Sequence, residues 1–223
     1  MTVSEAVESR RSIRAFTNQK VDRALLERVV AKAQRAPSGG NLQPWHAQVI
    51  TGEPLTRLMD AVAAELPKGA TGGDTEYDVY PAGLAEPYRS RRFKVGEDMY
   101  AALGVTREDK MGRMVQFARN FRAFDAPVLM LVHFPRFMGP PQWSDVGMWL
   151  QTFMLLLKEE GLDSCAQEAW SFFHQTIRAT LSIPDDHILF CGVSIGYADP
   201  TAAINSFSVD RAPLDEVVEF KGF

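Results

Sequence analysis

The sequence predicts a single α+β domain spanning residues 1–223. Three observations lead there. Segments with apolar residues three and four apart are interspersed with short apolar runs bounded by Pro and Gly, which reads as helices mixed with strands along the whole chain. No segment repeats, so a solenoid or propeller is not indicated. The glycine- and proline-rich stretch at residues 67–96 carries no sustained periodicity but is followed by a helical pattern, so it reads as an irregular excursion and not as a linker between domains. A chain of 223 residues can bury roughly 70% of its unfolded surface, enough for a substantial core.

Thr2 and Glu5 have capping-box spacing and open a short helix running into Arg10 and Arg11, with Ser12 near its end. Asp22 caps a second helix whose Leu25, Leu26, Val29, Val30 and Ala33 form one apolar stripe. The run Pro37, Ser38, Gly39, Gly40, Asn41 cannot continue a helix, and Pro44 and Trp45 lead into a strand at 46–50. Thr106 with Asp109 opens another helix that should reach about Asn120. Residues 127–133 are apolar on both faces and bounded by breakers, as a central strand would be. The helix at 144–161 carries Val146, Trp149, Leu150, Phe153, Met154, Leu156 and Leu157, which cover more than one face, so it should be buried all round, at the domain centre or in a subunit interface. A second core strand follows at 188–197, and a terminal strand at 215–220 carries Val217 and Val218.

Composition excludes several functions. A formal net charge of −4 does not suit a nucleic-acid binder, which needs surplus Lys and Arg to neutralise phosphates. Cys165 and Cys191 have neither metal-ligand nor redox spacing, and a reducing cytosol is their natural setting. No run approaches the 18 apolar residues of a membrane span, and the acidic start of the chain is unlike a signal peptide; a soluble, cytoplasmic protein is expected. His46, His133, His174 and His187 include no pair at ligand spacing, so no metal is expected. There is no P-loop and no GxGxxG after a strand.

What remains is local. Arg10, Arg11, Ser12 and Arg14 put three guanidinium groups and a hydroxyl within five residues. A short charge run is more often a solvated face, but forked arginine donors also grip phosphate bidentately. The small residues of 37–41 would let a backbone approach a flat ligand. Residues 161–170 pass polar groups through what should be interior, either as a tight turn with Glu168 at the surface or as a backbone that meets an electron-accepting ring. Arg211 alone reads as a surface ion pair.

Five of these segments, in order, resemble the nitroreductase family of FMN enzymes nearly end to end: residues 10–14 (RRSIR), 36–45 (APSGGNLQPW), 142–147 (QWSDVG), 161–170 (GLDSCAQEAW) and 196–199 (GYAD) ahead of Asn205 and Arg211. The resemblance is nearest to nitrobenzoate and nitrophenol reductase-like members, through 142–145, 167–170 and 211–216. It implies a nitroreductase-like sandwich, a mainly antiparallel sheet flanked by helices, in an obligate homodimer whose C-terminal strand is exchanged. It implies that Arg10, Arg11, Ser12, Arg14 and Arg211 contact FMN, with Arg10 and Arg211 near the phosphate and Arg14 near the pyrimidine edge. Pro37, Ser38, Gly39 and Asn41 would reach the flavin of the other subunit, and Gln167, Glu168 and Ala169 would meet the ring at N5 and O4. Two positions depart from enteric relatives: Ala169 stands where glycine is common, and Val209 where a phosphate-binding lysine stands.

On this resemblance the flavin carries the chemistry and no side chain is itself catalytic. NADPH or NADH is the reductant, a nitroaromatic or related small aromatic acceptor the oxidant, and the two stack in turn on one open face, giving ping-pong kinetics. A guanidinium at the pyrimidine edge favours two-electron transfer by stabilising the negative charge of the reduced ring. Gly40, Tyr88, Arg92, Asn120 and Phe124 are the candidate acceptor-site residues. The alternatives within the class are a flavin or quinone reductase and a reductive dehalogenase, since the family places several acceptors over the same ring; from another class, the chain could be a flavin sensor or a flavin-destroying enzyme, and a sensor would be yellow without consuming NADPH in the presence of a nitroaromatic.

Overall fold

The backbone pairs four strands into one antiparallel sheet in the computed structural model, which describes residues 1–68 and 75–223. Their order is β1-β2-β4-β3, with β1 His46–Thr51, β2 Val128–Pro135, β3 Asp163–Gln167 and β4 His187–Gly196. The two central strands are the two whose residues are apolar on both faces, and both are almost wholly buried. Eight α-helices are seen among the described residues: α1 Val3–Ser9, α2 Arg23–Ala33, α3 Gly52–Glu65, α4 Tyr88–Ala102, α5 Lys110–Ala118, α6 Pro140–Glu159, α7 His174–Leu181 and α8 Leu214–Val217.

Strand alternation divides the core in two. Val128, Met130, Val132 and Phe134 face α2 and α6, together with Leu26, Val29, Trp149 and Phe153. Leu129 and Leu131 face the other way, onto Leu58 and Val62 of α3 and Ile177 of α7. Opposite Val132 and His133 the register slips, Val132 pairing with Cys191 and His133 with Leu189. Phe190 is the extra residue, and this bulge lets both Phe190 and Cys191 pack on the α6 side.

Most expectations hold in outline. The capping box is present, with Thr2 Oγ1 accepting from the Glu5 N–H and Glu5 Oε2 from the Thr2 N–H, and Asp22 Oδ1 accepts from the Ala24 N–H. The strands at 46–50, 127–133 and 188–197 and the helix at 144–161 appear within a few residues of their expected limits. The structure also contains α3, α7 and β3, which the sequence reading did not find.

Several expectations are corrected. α1 stops at Ser9, and Ser12 instead forms a parallel bridge with Ser164 of β3. α5 is capped by Asp109 alone, whose Oδ1 accepts from the Gly112 N–H at 2.8 Å, and ends at Ala118 before the 3-10 segment Arg119–Asp125; Thr106 lies ahead of it. Part of the irregular stretch at 67–96, residues 69–74, lies outside the described residues, and α4 already runs from Tyr88. α6 is not buried all round in the chain by itself: Val146, Trp149, Phe153 and Leu157 are inside while Gly147, Met148 and Gln151 face out. The terminal strand is absent. Residues 214–217 form a helical turn, and 218–223 join no sheet among the described residues, because a strand needs a neighbouring edge for its N–H and C=O groups. No helix among the described residues is long and apolar enough to cross a membrane.

Candidate functional site

After α1 the chain becomes extended and runs beside β3. The Ile13 N–H donates to Ser164 O at 3.1 Å, the Arg14 N–H to Asn205 Oδ1 at 2.9 Å, and the Thr17 N–H to Tyr197 O at 2.9 Å. An extended chain alternates its side chains, so Ile13 and Ala15 go into the core while Ser12 and Arg14 stay outside it. Asn205 ties the arrangement together, its Nδ2 donating to Ala15 O at 2.8 Å and Asp199 O at 3.0 Å.

Outside this segment lies a cavity of about 500 Å³, lined by Arg10, Arg11, Ser12, Arg14, Ser208 and Arg211. Arg14 Nη1 donates to Ser12 O, and Arg211 Nη1 to the carbonyls of Val209 and Asp210. None of the four guanidinium groups forms an ion pair among the described residues. Four guanidinium groups and two hydroxyls around one concavity, against the single carboxylate of Glu8 in the same lining, leave an excess of positive charge in a chain of net charge −4 and make a site for a multivalent anion.

Arg14 also lines a second cavity of about 490 Å³, with Tyr80, Arg92, Asn120, Glu168 and Ala169. Its walls include Phe117 and Phe172, flat apolar surfaces suited to a planar ring. The base of this cavity is held from behind. Gln167 is buried, its Nε2 donating to Asn120 O at 3.0 Å and Asn120 Oδ1 at 3.2 Å, and its Oε1 accepting from Ser194 Oγ and Trp170 Nε1. The side chain of Gln167 is thus consumed in holding position, which leaves the backbone of 167–169 for a ligand. Cys165 also borders the cavity, but burial pushes its thiol up to about 11, so it remains a neutral thiol and no nucleophile.

The structure gathers Arg10, Arg11, Ser12, Arg14, Arg211, Gln167, Glu168, Ala169, Arg92 and Asn120 around these two cavities, which share Arg14. Phe124 is a correction. Ala123, Phe124 and Asp125 have φ of 50°, 53° and 67°, and this left-handed turn drives the Phe124 ring into the core, where it is 2% exposed. Tyr88 lines neither cavity; it is exposed at the start of α4, where the Arg91 guanidinium lies 5.7 Å from its ring centroid.

Pro37, Ser38, Gly39, Gly40 and Asn41 also border neither cavity of this chain. They form a turn with Gly40 and Asn41 both at φ 57°. Asp145, on the first turns of α6 and 4% exposed, pins that turn through Oδ1, which accepts from the Gly39 N–H at 3.1 Å. Its Oδ2 and the Trp149 Nε1 one turn on are buried without a hydrogen-bond partner.

Sequence reasoning missed the carboxylate of Asp145, the hydroxyl of Ser208 and the pairing of Tyr80 with Arg92, which no local spacing announces. It also missed that His46, His133 and His187 meet at one end of the sheet. His133 Nδ1 and His187 Nδ1 are 2.8 Å apart and share one hydrogen. Burial, with the neighbouring His187, His46 and Arg178 charges, lowers His133 to about 4.

The model of the Nitroreductase family matches residues 7–197. The chain is 36% identical over 219 residues to the chloronitrobenzene nitroreductase of Comamonas testosteroni, covering 98% of this chain and 96% of that one. It is 37% identical over 216 residues to the 4-nitrobenzoate reductase of Nocardioides sp. (strain LMS-CY), covering 96% and 87%. Among solved structures, the FMN and NADPH-dependent nitroreductase NfnB from Sphigopyxis sp. strain HMH superimposes with a TM-score of 0.98 at 56% identity, over 100% of both chains.

Proposed function

Because the chain belongs to the nitroreductase family, we propose that it is an FMN-dependent oxidoreductase that takes electrons from NADPH or NADH and reduces nitroaromatic acceptors. Residues 1–223 form one FMN-binding domain, which works as a homodimer in the cytoplasm. The observation that carries this reading is Arg14, which lines both the cavity with excess positive charge and the cavity with aromatic walls. That pair of cavities fits a ligand with a dianionic end and a planar end. FMN has that form, and when bound it supplies the two-electron relay between nicotinamide and nitro group.

The chain's own residues divide the work. Arg10, Arg11 and Arg211, with Ser12, hold the phosphate; the missing lysine at Val209 is offset by the number of guanidinium groups already there. Arg14 lies toward the pyrimidine edge, where it stabilises negative charge that develops on reduction. The backbone of Gln167, Glu168 and Ala169 presents its polar groups to the ring, and Phe117 and Phe172 keep water from it. The dimer is supported by what the isolated chain leaves open: the outer face of α6, the turn of Pro37, Ser38, Gly39, Gly40 and Asn41, and an apolar tail in which Val217 is 60% and Phe220 65% exposed.

Mass analysis of the released chromophore tests the cofactor: FMN is expected, and FAD or a colourless protein that takes up no FMN overturns the reading. Arg10→Ala should weaken FMN binding by about 1.5–3 kcal/mol, the scale of a hydrogen bond to a charged group, with turnover per bound flavin little changed. Arg14→Ala should lower the flavin potential and slow its reduction by NADPH even at saturating FMN. Sedimentation at micromolar concentration should show a dimer; a monomer that retains its flavin contradicts a shared site.

A further inference from the structure

α4 has no fully buried residue, although residues 95–100 are half-buried, and three of its four cations are held by carboxylates. Arg89 pairs with Glu86 at 2.7 Å, Arg91 with Glu216, and Lys94 with Asp98 at 2.6 Å and Asp210 at 3.1 Å. Arg92 has no such partner among the described residues. Its guanidinium carbon lies 3.7 Å from the centroid of the Tyr80 ring, close enough for stacking. Stacking engages the face of a guanidinium and leaves its N–H edge, the part that grips a carboxylate bidentately, unspent.

The chain that leads to the ring under Arg92 is anchored. Glu76 is 5% exposed at its side chain and is clamped by Arg136 at 2.5 Å, Arg178 at 3.0 Å and the Leu189 N–H at 3.0 Å. Tyr77 donates its hydroxyl to Phe190 O and sets its ring edge-on to Trp143, with centroids 5.2 Å apart. Tyr80 follows three residues after this clamp, 51% exposed and with its ring stacked by Arg92. Arg92 and Tyr80 both line the aromatic-walled cavity, where Glu168 is the sole acidic residue of the lining and Arg14 the other cation. With Arg14 committed to the flavin, Arg92 is the charge left to meet whatever enters.

We propose that Arg92, mounted on the Tyr80 ring, is a specificity-determining residue that selects aromatic acceptors bearing a carboxylate over uncharged ones. The inference rests on the oxidoreductase reading above and names the acceptor class of the same site. A buried aromatic body with one anionic substituent would satisfy the apolar walls and the open guanidinium edge together, whereas a neutral ring satisfies only the walls.

The experiment uses the flavin-loaded protein and begins with calorimetric titration by benzoate and by benzamide, of one size and neither reducible by the enzyme. Wild type should bind benzoate about tenfold more tightly, a preference that weakens with added salt. Arg92→Met should abolish it, Tyr80→Phe should keep it because the ring face survives, and Tyr80→Ala should lose most of it. In steady state, Arg92→Met should lower kcat/KM for 4-nitrobenzoate about tenfold and leave nitrobenzene within twofold. Equal losses with both acceptors overturn the proposal, as does an Arg92→Met variant that keeps its benzoate preference and instead raises KM for NADPH, which would assign the guanidinium to a dinucleotide phosphate. A wild type that reduces neither nitro compound but prefers benzoate in an Arg92-dependent way refutes the oxidoreductase reading and upholds the anion selection; turnover without benzoate preference does the reverse.

Discussion

Gly192→Ala should strike the floor of the site from behind. A Cβ at Gly192 would lie 2.3 Å from Trp170 Cδ1 and 2.8 Å from both Cγ and Nε1, so the indole must move. It has nowhere cheap to go. Trp170 is 0% exposed, meets Phe121 edge-on at a centroid separation of 5.8 Å, and donates its Nε1 hydrogen to Gln167 Oε1 at 3.4 Å. Overpacking of this kind costs about 1–3 kcal/mol. For a domain of this length each kcal/mol moves Tm by about 2–4 °C, so a fall of about 2–12 °C is expected in scanning calorimetry. Because Trp170 sits in the 3-10 turn Glu168–Phe173 that follows the cavity base, the variant should also hold its flavin less tightly. Trp170→Ala removes all three clashing atoms, so the double variant should lose less than the sum of the two single losses, by about 1 kcal/mol or more. A Gly192→Ala protein melting within about 1 °C of wild type, or strictly additive losses, refutes the reasoning.

Asp145→Ala should loosen the turn at Gly39 and weaken dimer formation and flavin binding together, while Asp145→Asn, which keeps an acceptor for the Gly39 N–H, should retain most of both; sedimentation and flavin titration compare them, and equal behaviour of the two variants counts against the pinning role. For His133 the folded-state pKa, lowered to about 4 from 6.5, means that the unfolded chain binds the proton first, so stability is level above about pH 7 and falls as pH drops from 6.5 toward 4. At 1.36 kcal/mol per unit this amounts to about 2 kcal/mol by pH 5. Urea midpoints at pH 7.5 and 5.0 should show that loss, and His133→Asn should flatten it; an unchanged slope in the variant assigns the acid sensitivity elsewhere.

The parts of the fold that were legible are those where one strand or helix declares itself. β2 and β4 are apolar on both faces and could only be central, and α6 is too long and too apolar to be anything but a helix against the sheet. β3 could not be read because Asp163, Ser164, Cys165, Ala166 and Gln167 are small or polar, and what makes them a strand is pairing with β4. The tail failed for the complementary reason: Val217 and Val218 have strand character, but no edge among the described residues receives them. In the site, the cluster at Arg10–Arg14 was visible locally, whereas its union with Asn205 and Arg211 is a property of the fold, reached from sequence only through the family resemblance. Phe124 was misassigned because a three-residue left-handed turn reversed its direction, and none of Ala123, Phe124 and Asp125 is a glycine that would have signalled it. The histidine cluster was invisible because its members come from three different strands.

The two sides of the site are held by different means, and the difference bears on how such a protein can change its substrate. The cation side and the base are built into the sheet: Ile13 and Arg14 are bonded to β3 and Asn205, and Gln167 and Trp170 are wedged against β4 at Gly192. A substitution there is felt by the core, at the scale worked out for Gly192→Ala. The roof is otherwise. No residue of α4 is fully buried, and the ion pairs of Arg89 and Lys94 are exposed ones of the kind that contribute about 0–1 kcal/mol. An exposed residue at the start of α4 can therefore be exchanged at little cost in stability, while Gln167, Trp170 and Gly192 behind the base cannot. Arg92 belongs to that exchangeable set, while the chain that leads to Tyr80 beneath it is tied to β4 and α7 through Glu76 and Tyr77. Acceptor choice in this molecule is in that sense decoupled from folding.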